Sequence, residues 1–528
     1  MRGRVLVPLL AALLAAAGFA VGGAAGAAGC PVADADRGGH SAMELLELAA
    51  ASGRADDPAC RALGRAVADL ALARGEAAEG AWERLRGEEP RGSLAAPWRA
   101  VAAALAFRAG HVREAHRLAV AALRERPGSA LAWDVLGRVL AARFLDPAAR
   151  EAFRRALALD PDDPAALRGL ALLADERPEK TRLLERYVAV AAERGEPWDR
   201  VRAAREHLAL LAALGDRPVF VLERADLPGT IPLRPVPGRP GRPRGFVLEA
   251  ELGGRRPEPL LFDTGASGLH VEARAARRAG FQPLSGATLV GGGGEGRHPV
   301  TRGILPVLGL GPVVYRDPLV STTGSSLERR GAYRGILGAD LLGGTRLLFR
   351  PRPPGLVLVE APRRETTDPL AADPWAVPAG ELPVLRIEGQ LLVPLRYGTG
   401  RDRGKGLFVL DTGASRTILA EGAAAGLPGL RRGGSGARIR AYGGETVPVG
   451  RVPVLWVGAP DPTRPRAFLA GAELRDVPVV DPGPRAWLAG TRIAGWLGLD
   501  VLARAPFELD LGRGTFRFPV PERRGRRR

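Results

Sequence analysis

The pentapeptide DTGAS stands twice in the chain, at 263–267 and again at 411–415, each time directly behind an apolar run that reads as a β-strand. The second copy begins 148 residues after the first, and the surroundings repeat with it. Each acid is followed by a short helical stretch (VEARAARRAG; AEGAAAG), a glycine-tipped hairpin and an apolar-apolar-glycine turn, Ile336-Leu337-Gly338 in one copy and Trp496-Leu497-Gly498 in the other. A lone acid after a strand has an ordinary explanation, because its side-chain oxygens can cap a turn. Two full copies of the same order of parts demand a duplicated β unit and a reason for carrying two acids. Short alternating runs broken by Gly and Pro, such as FVLEAEL and ILPVLGL, define two β lobes at 245–362 and 383–520, joined by 363–382.

At 528 residues the chain is long enough for several domains, and 46% hydrophobic with 25% charged residues is ordinary globular composition. The net charge of +18 invites a nucleic-acid reading. The arginines, however, are spread along the chain and aromatics make up only 5%, so no clustered phosphate-binding face with stacking rings is expected. The basic tail, 521–528, reads as a solvated end. Arg2 and Arg4 precede an uncharged apolar run from Val5 to Val21 and then small residues, the layout of a secretory signal over 1–29. An exported protein is therefore expected, with an uncleaved membrane anchor as the competing reading. The tetrapeptide AAGC ending at Cys30 resembles a bacterial lipoprotein site, which would tether the chain to a membrane through a lipid on Cys30. Equally, Cys30 could pair with Cys60 in an oxidising compartment.

Between these ends the chain is helical in pattern. Residues 30–95 read as a helical cap. Over 96–215, Trp133, Leu136, Gly137, Ala149, Phe153, Ala156 and Pro161 have the spacing of a tetratricopeptide unit, and Ala115, Ala122 and Pro127 repeat it 34 residues earlier. Such repeats imply a stack of helix pairs, either a spacer or a groove that docks a protein partner. The Pro/Gly/Arg-rich segment 216–244 reads as a linker that does not fold.

The paired DTGAS motifs and their following glycine turns resemble the aspartic peptidases, specifically the retropepsin-like ones, over roughly 245–520. The resemblance implies an all-β, two-lobed acid-protease fold behind an all-α helical array. It also implies that Asp263 and Asp411 are the catalytic pair. The chemistry agrees: peptide hydrolysis needs a base for water and an acid for the carbonyl oxygen and leaving amine. Two carboxyls about 3 Å apart share one proton and supply both. Gly265 and Gly413 let the loops approach; Thr264 and Thr412 are expected to bond across the seam, and Gly338 and Gly498 to pack behind the acid loops. Flap candidates are the hairpins around 291–296 and 440–446, the latter carrying Tyr442. Alanines 266 and 414 place no hydroxyl beside the acids, which is expected to raise the lower titration of the pair. Neither GGGGEG nor TGRDRGKG fits a nucleotide loop, and the six histidines and two cysteines have no metal-ligand spacing, so no metal and no cofactor is expected. The expected activity is that of a monomeric endopeptidase acting on proteins or peptides. The rivals are a peptide-holding scaffold that does not cut, and self-processing alone.

Overall fold

The computed structural model describes residues 30–72, 76–238, 243–290, 297–323, 331–399, 402–431, 438–440, 446–460, 468–481, 487–488 and 491–519. The expected signal, the hairpin tip 291–296, Tyr442 and the basic tail lie outside these residues.

The N-terminal part is a succession of helices: α1 (Ala42–Ser52), α2 (Pro58–Leu72), α3 (Glu76–Leu85), α4 (Ala95–Arg108), α5 (Val112–Glu125), α6 (Ala130–Ala142), α7 (Asp146–Leu159), α8 (Pro164–Leu173), α9 (Arg177–Val190) and α10 (Trp198–Leu214). Local chemistry starts several of them. Ser129 Oγ accepts from the Ala132 amide at the head of α6, and Asp163 Oδ1 accepts from the Ala165 and Ala166 amides at the head of α8. Consecutive helices pack as pairs. The Phe153 ring on α7 wedges between Gly137 of α6 and Gly169 of α8. A Cβ on Gly137 would lie 2.6 Å from Phe153 Cδ1, and one on Gly169 2.8 Å from Cε1. The glycine-phenylalanine spacing legible in the sequence is thus a packing device that lets three helices close on one ring.

Cys30 and Cys60 form a disulfide that ties the segment before α1 to α2. Of the two readings left open for Cys30, the structure has the disulfide. The bridge closes a loop of 30 residues. Replacing both cysteines by serine should cost about 3.6 kcal/mol by loop entropy, read as a lower midpoint for the helical part that reductant reproduces in the parent.

The segment 216–244 is not a loose linker. It contributes β1 (Val221–Ala225), β2 (Gly229–Pro232) and β3 (Arg234–Val236) to the sheets. The partners of β1 and β2 lie far along the chain, beyond the reach of composition, and both are edge strands, where proline is tolerated; β3 pairs with the nearby β4. The first lobe continues with β4 (Gly245–Leu252), β5 (Glu258–Asp263), β6 (Leu269–Glu272), α11 (Ala273–Arg278), β7 (Gln282–Val290), β8 (Arg297–Ile304), β9 (Val307–Gly309), β10 (Val313–Arg316), β11 (Leu319–Thr323) and β12 (Gly335–Gly338). Its sheet runs β1-β10-β9-β4-β5-β12-β6-β11-β8-β7, with β3 beside β4. Next come β13 (Thr345–Pro351) and β14 (Pro354–Glu360), and after the crossing β15 (Leu382–Pro383), β16 (Leu385–Ile387), β17 (Gln390–Thr399), β18 (Asp402–Leu410), β19 (Ile418–Ala420) and α12 (Glu421–Ala424). The second lobe is completed by β20 (Arg438–Arg440), β21 (Thr446–Pro448), β22 (Gly450–Pro460), β23 (Phe468–Val480), β24 (Trp487–Leu488), β25 (Thr491–Arg492), β26 (Gly495–Leu497), α13 (Leu499–Leu502), β27 (Phe507–Asp510) and β28 (Thr515–Arg517). Its sheet runs β16-β17-β18-β26-β19-β23-β22, and a β17–β22 pairing closes it.

A third sheet, β15-β28-β27-β13-β14-β2, takes strands from both lobes and sews them together. Phe349 of β13 stacks on Phe507 of β27 with ring centroids 4.9 Å apart, so one apolar core runs through this sheet into both lobes. The helical array joins the β part directly. Leu385, Ile387, Leu392, Leu407 and Val409 of the second lobe are buried in the same cluster as α4–α8. On the first lobe, Glu206 of α10 accepts from the amide and hydroxyl of Thr288 on β7.

Candidate active site

Each acid sits where a strand runs out into a loop packed closely over its neighbours. In the first lobe β12 lies between β5 and β6, parallel to one and antiparallel to the other. In the second, β26 lies in the same way between β18 and β19. The loop leaving β5 carries Asp263 and the loop leaving β18 carries Asp411, so each must pass over the end of the middle strand. Glycine is required there: a Cβ on Gly338 would lie 2.7 Å from the Ala266 carbonyl oxygen, and one on Gly498 2.5 Å from that of Arg416. The Gly338 amide donates to the Gly268 carbonyl at 2.9 Å and the Gly498 amide to Thr417 Oγ1 at 3.1 Å.

Two acidic residues missed in the sequence reading tighten these loops. The Gly268 amide donates to Asp340, 2.9 Å from Oδ1, and Thr417 donates to Asp500 Oδ1 from both its amide (2.8 Å) and its hydroxyl (2.7 Å). Asp340 and Asp500 each stand two residues after their turn glycine, in GAD and GLD, so the signal was a second repeated acid position.

At the seam the two loops grip each other. The Thr264 hydroxyl donates to the Leu410 carbonyl (2.8 Å) and accepts from the Thr412 amide (3.1 Å). The Thr412 hydroxyl donates to the Phe262 carbonyl (2.9 Å) and accepts from the Thr264 amide (3.0 Å). All four bonds are buried, and each threonine hydroxyl serves one backbone carbonyl and one backbone amide of the opposite lobe. Thr412→Val keeps the shape but orphans one carbonyl and one amide, each worth about 1–3 kcal/mol when buried. We expect a loss of about 3 kcal/mol in denaturant unfolding, with a similar loss for Thr264→Val.

This grip brings the carboxyls together. A Cβ on Gly265 would lie 2.8 Å from Asp411 Cγ, and one on Gly413 2.5 Å from Asp263 Cγ, so each carboxyl occupies the space left by the opposite loop's glycine. The acids are within hydrogen-bonding reach of each other, and each keeps a partly accessible face. Burial holds Asp263 above the usual carboxylate range against the opposing pull of the Gly265 and Gly413 amides. Asp411 is raised well above it, first by burial and then by the charge of Asp263. Among the backbone donors on the pair, the Gly265 amide lies 2.8 Å from Asp263 Oδ1 and the Ala414 amide 2.7 Å from Asp411 Oδ1. Such a pair retains one proton over a pH range in which isolated carboxyls would both be ionised. It can donate from one member and accept at the other. Of the flap candidates, the bases β7–β8 and β20–β21 are antiparallel hairpins; 291–296 and Tyr442 fall outside the described residues.

No curated protein matches the chain. Solved structures similar to it include the aspartic proteinase from Irpex lacteus (13% identity, 56% of this chain and 97% of that chain, TM-score 0.34) and basic 7S globulin from soybean (14%, 57% and 94%, TM-score 0.32). A retropepsin-like aspartic protease from Rickettsia conorii is similar over 25% of this chain and 89% of that chain, at 20% identity and a TM-score of 0.18. Residues 248–341, the stretch of the first lobe that includes Asp263, Gly338 and Asp340, match the family model described as aspartyl protease.

Proposed function

We propose that the chain is an aspartic-type endopeptidase that hydrolyses peptide bonds with water activated between Asp263 and Asp411. The observation that carries this reading is the pairing of two raised-pKa carboxyls, one from each lobe, across a seam locked by Thr264 and Thr412. The aspartyl protease match over 248–341 supports it.

In the reaction the ionised member takes a proton from water as the water oxygen bonds to the scissile carbonyl carbon. The protonated member gives its proton to the carbonyl oxygen, forming a neutral gem-diol. The carboxyl that received the water proton then protonates the amide nitrogen while the other recovers a proton from the diol, and the C–N bond breaks. One proton remains on the pair, so the cycle closes without any other reactant. Both acids belong to one chain, and a monomer suffices. The Cys30–Cys60 bridge favours an oxidising compartment outside the cytoplasm. Protein docking by tetratricopeptide-like repeats would use the outward helices, where Leu172 and Trp198 are exposed.

The test is cleavage of a mixed peptide library by the purified chain from about pH 3 to about pH 8, with products read by mass spectrometry. Internal cuts support the proposal. A chain that binds peptides and never cuts them is the scaffold instead.

A further inference from the structure

The hairpin β16–β17 turns through two residues, Glu388 and Gly389, since Ile387 pairs directly with Gln390. Both central residues have left-handed φ, +49° and +78°. This is the backbone of a tight two-residue hairpin whose first position ordinarily holds Asn, Asp or Gly. A glutamate there is a poor turn residue, with a side chain that resists positive φ. Its carboxylate explains the choice. It faces two arginines of the helical array, Arg168 of α8 at 3.5 Å and Arg200 of α10 at 3.9 Å.

The helices hold the same strand further back. Leu385 and Ile387 are buried among them, and Arg386 pairs with Asp146 at the start of α7. At the other side of the turn the hairpin meets the catalytic loop. Gln390 Nε2 donates to the Gly265 carbonyl at 2.7 Å, and a Cβ on Gly389 would lie 3.0 Å from Ser267 Cβ. A continuous path therefore leads from α8 and α10, through Glu388 and its turn, to the residue two places after Asp263.

We propose that the helical array is a strut for the first acid loop, with Glu388 as its joint and Gln390 as a positioning residue that fixes Gly265, and through it Asp263, against Asp411. This deepens the peptidase reading and rests on it for its catalytic part. Gln390 touches no reacting atom; it acts by holding the carbonyl next to the Gly265 amide that steadies Asp263. The array on this view is part of the catalytic body.

The decisive variant is Glu388→Asn. Asparagine is the better turn residue but cannot reach the arginines, so a merely structural role predicts an unchanged or higher melting temperature with unchanged activity. The strut predicts that melting holds or rises while kcat falls about threefold, at a KM within about twofold. Amide exchange in the 258–272 segment should quicken at the same time. Gln390→Ala should lower kcat about fivefold, the size of one net hydrogen bond. The pair Arg168→Ala and Arg200→Ala should reproduce Glu388→Asn and add nothing to it. Exchange is read whether or not the chain cuts peptides, so it judges the strut separately from the peptidase. Parent-like exchange in both Glu388→Asn and Gln390→Ala would overturn the strut. Faster exchange with parent-like kcat would overturn the positioning role.

Discussion

Asp263→Asn and Asp411→Asn should each lower peptide cleavage by about 10³-fold or more, because either change removes the general acid and the general base together. Asparagine fills the same volume and can still accept from the Gly265 or Ala414 amide, so the grip of Thr264 and Thr412 and the fold should persist. What disappears is a proton that can be held by either side. The same variants carry a stability signature with a definite sign. Both acids titrate above their unfolded values, chiefly through burial. Their contribution is therefore fully present below the unfolded carboxyl value and is lost as pH rises through the folded ones. Asp411→Asn, which cannot ionise, should thus melt higher than the parent at neutral pH, and the gap should close toward about pH 4. With no hydroxyl at Ala266 or Ala414 to favour a second charge, kcat/KM should peak in mildly acidic to near-neutral solution. A rate still climbing below about pH 3 would contradict the assignment. Circular dichroism melts beside the cleavage assays separate a lost proton from a lost fold.

What could be read from the sequence was whatever is repeated or periodic. The acids, their glycine turns and the order of parts in the lobes are written twice, and Ala115, Ala122 and Pro127 return 34 residues on as Ala149, Ala156 and Pro161. Asp340 and Asp500 were equally legible, and only the comparison of GAD with GLD was needed. The strands β1 to β3 were not. Val221–Ala225 and Gly229–Pro232 acquire their structure from Val313–Arg316 and Pro354–Glu360, and their local composition is that of a linker. Gln390 and Glu388 were invisible for the same reason, because a glutamine and a glutamate in a hairpin say nothing about which carbonyl or arginine will stand opposite. The repeats in the sequence mark the two acid loops, and the long-range pairings decide what holds those loops in place.

Arg143 is the largest such omission, and Arg143→Ala should destabilise the chain by about 4 kcal/mol. The residue closes α6 and is fully buried where the helical array meets the shared sheet. Its Nε donates to the Pro374 carbonyl at 2.7 Å, and its Nη1 donates to the carbonyls of Gly514 (2.8 Å) and Val384. The guanidinium also lies over the Trp375 ring, 5.7 Å from its centroid. Burial, with Arg364 and Arg113 nearby, pushes its pKa down to about 9, so it is still charged at neutral pH. Alanine would relieve that buried charge, which limits the net loss. It would also take the side-chain donor from the buried Pro374 and Val384 carbonyls, leave Gly514 with the Val384 amide alone, and remove bulk beside Phe144, which packs on Gly514, a residue with φ +68°. The damage falls on the seam itself. The Val384 amide donates to Gly514, and the short β15–β28 pairing beside it brings the start of the second lobe into the shared sheet. Arg143→Lys keeps the charge but loses the planar fork that spans three carbonyls, and should fall between alanine and the parent. Denaturant unfolding followed by amide exchange over 380–387 and 511–517 would locate the loss. Parent-like midpoints and protection in Arg143→Ala would mean that Arg143 adds nothing to the hold between the helical array and the lobes.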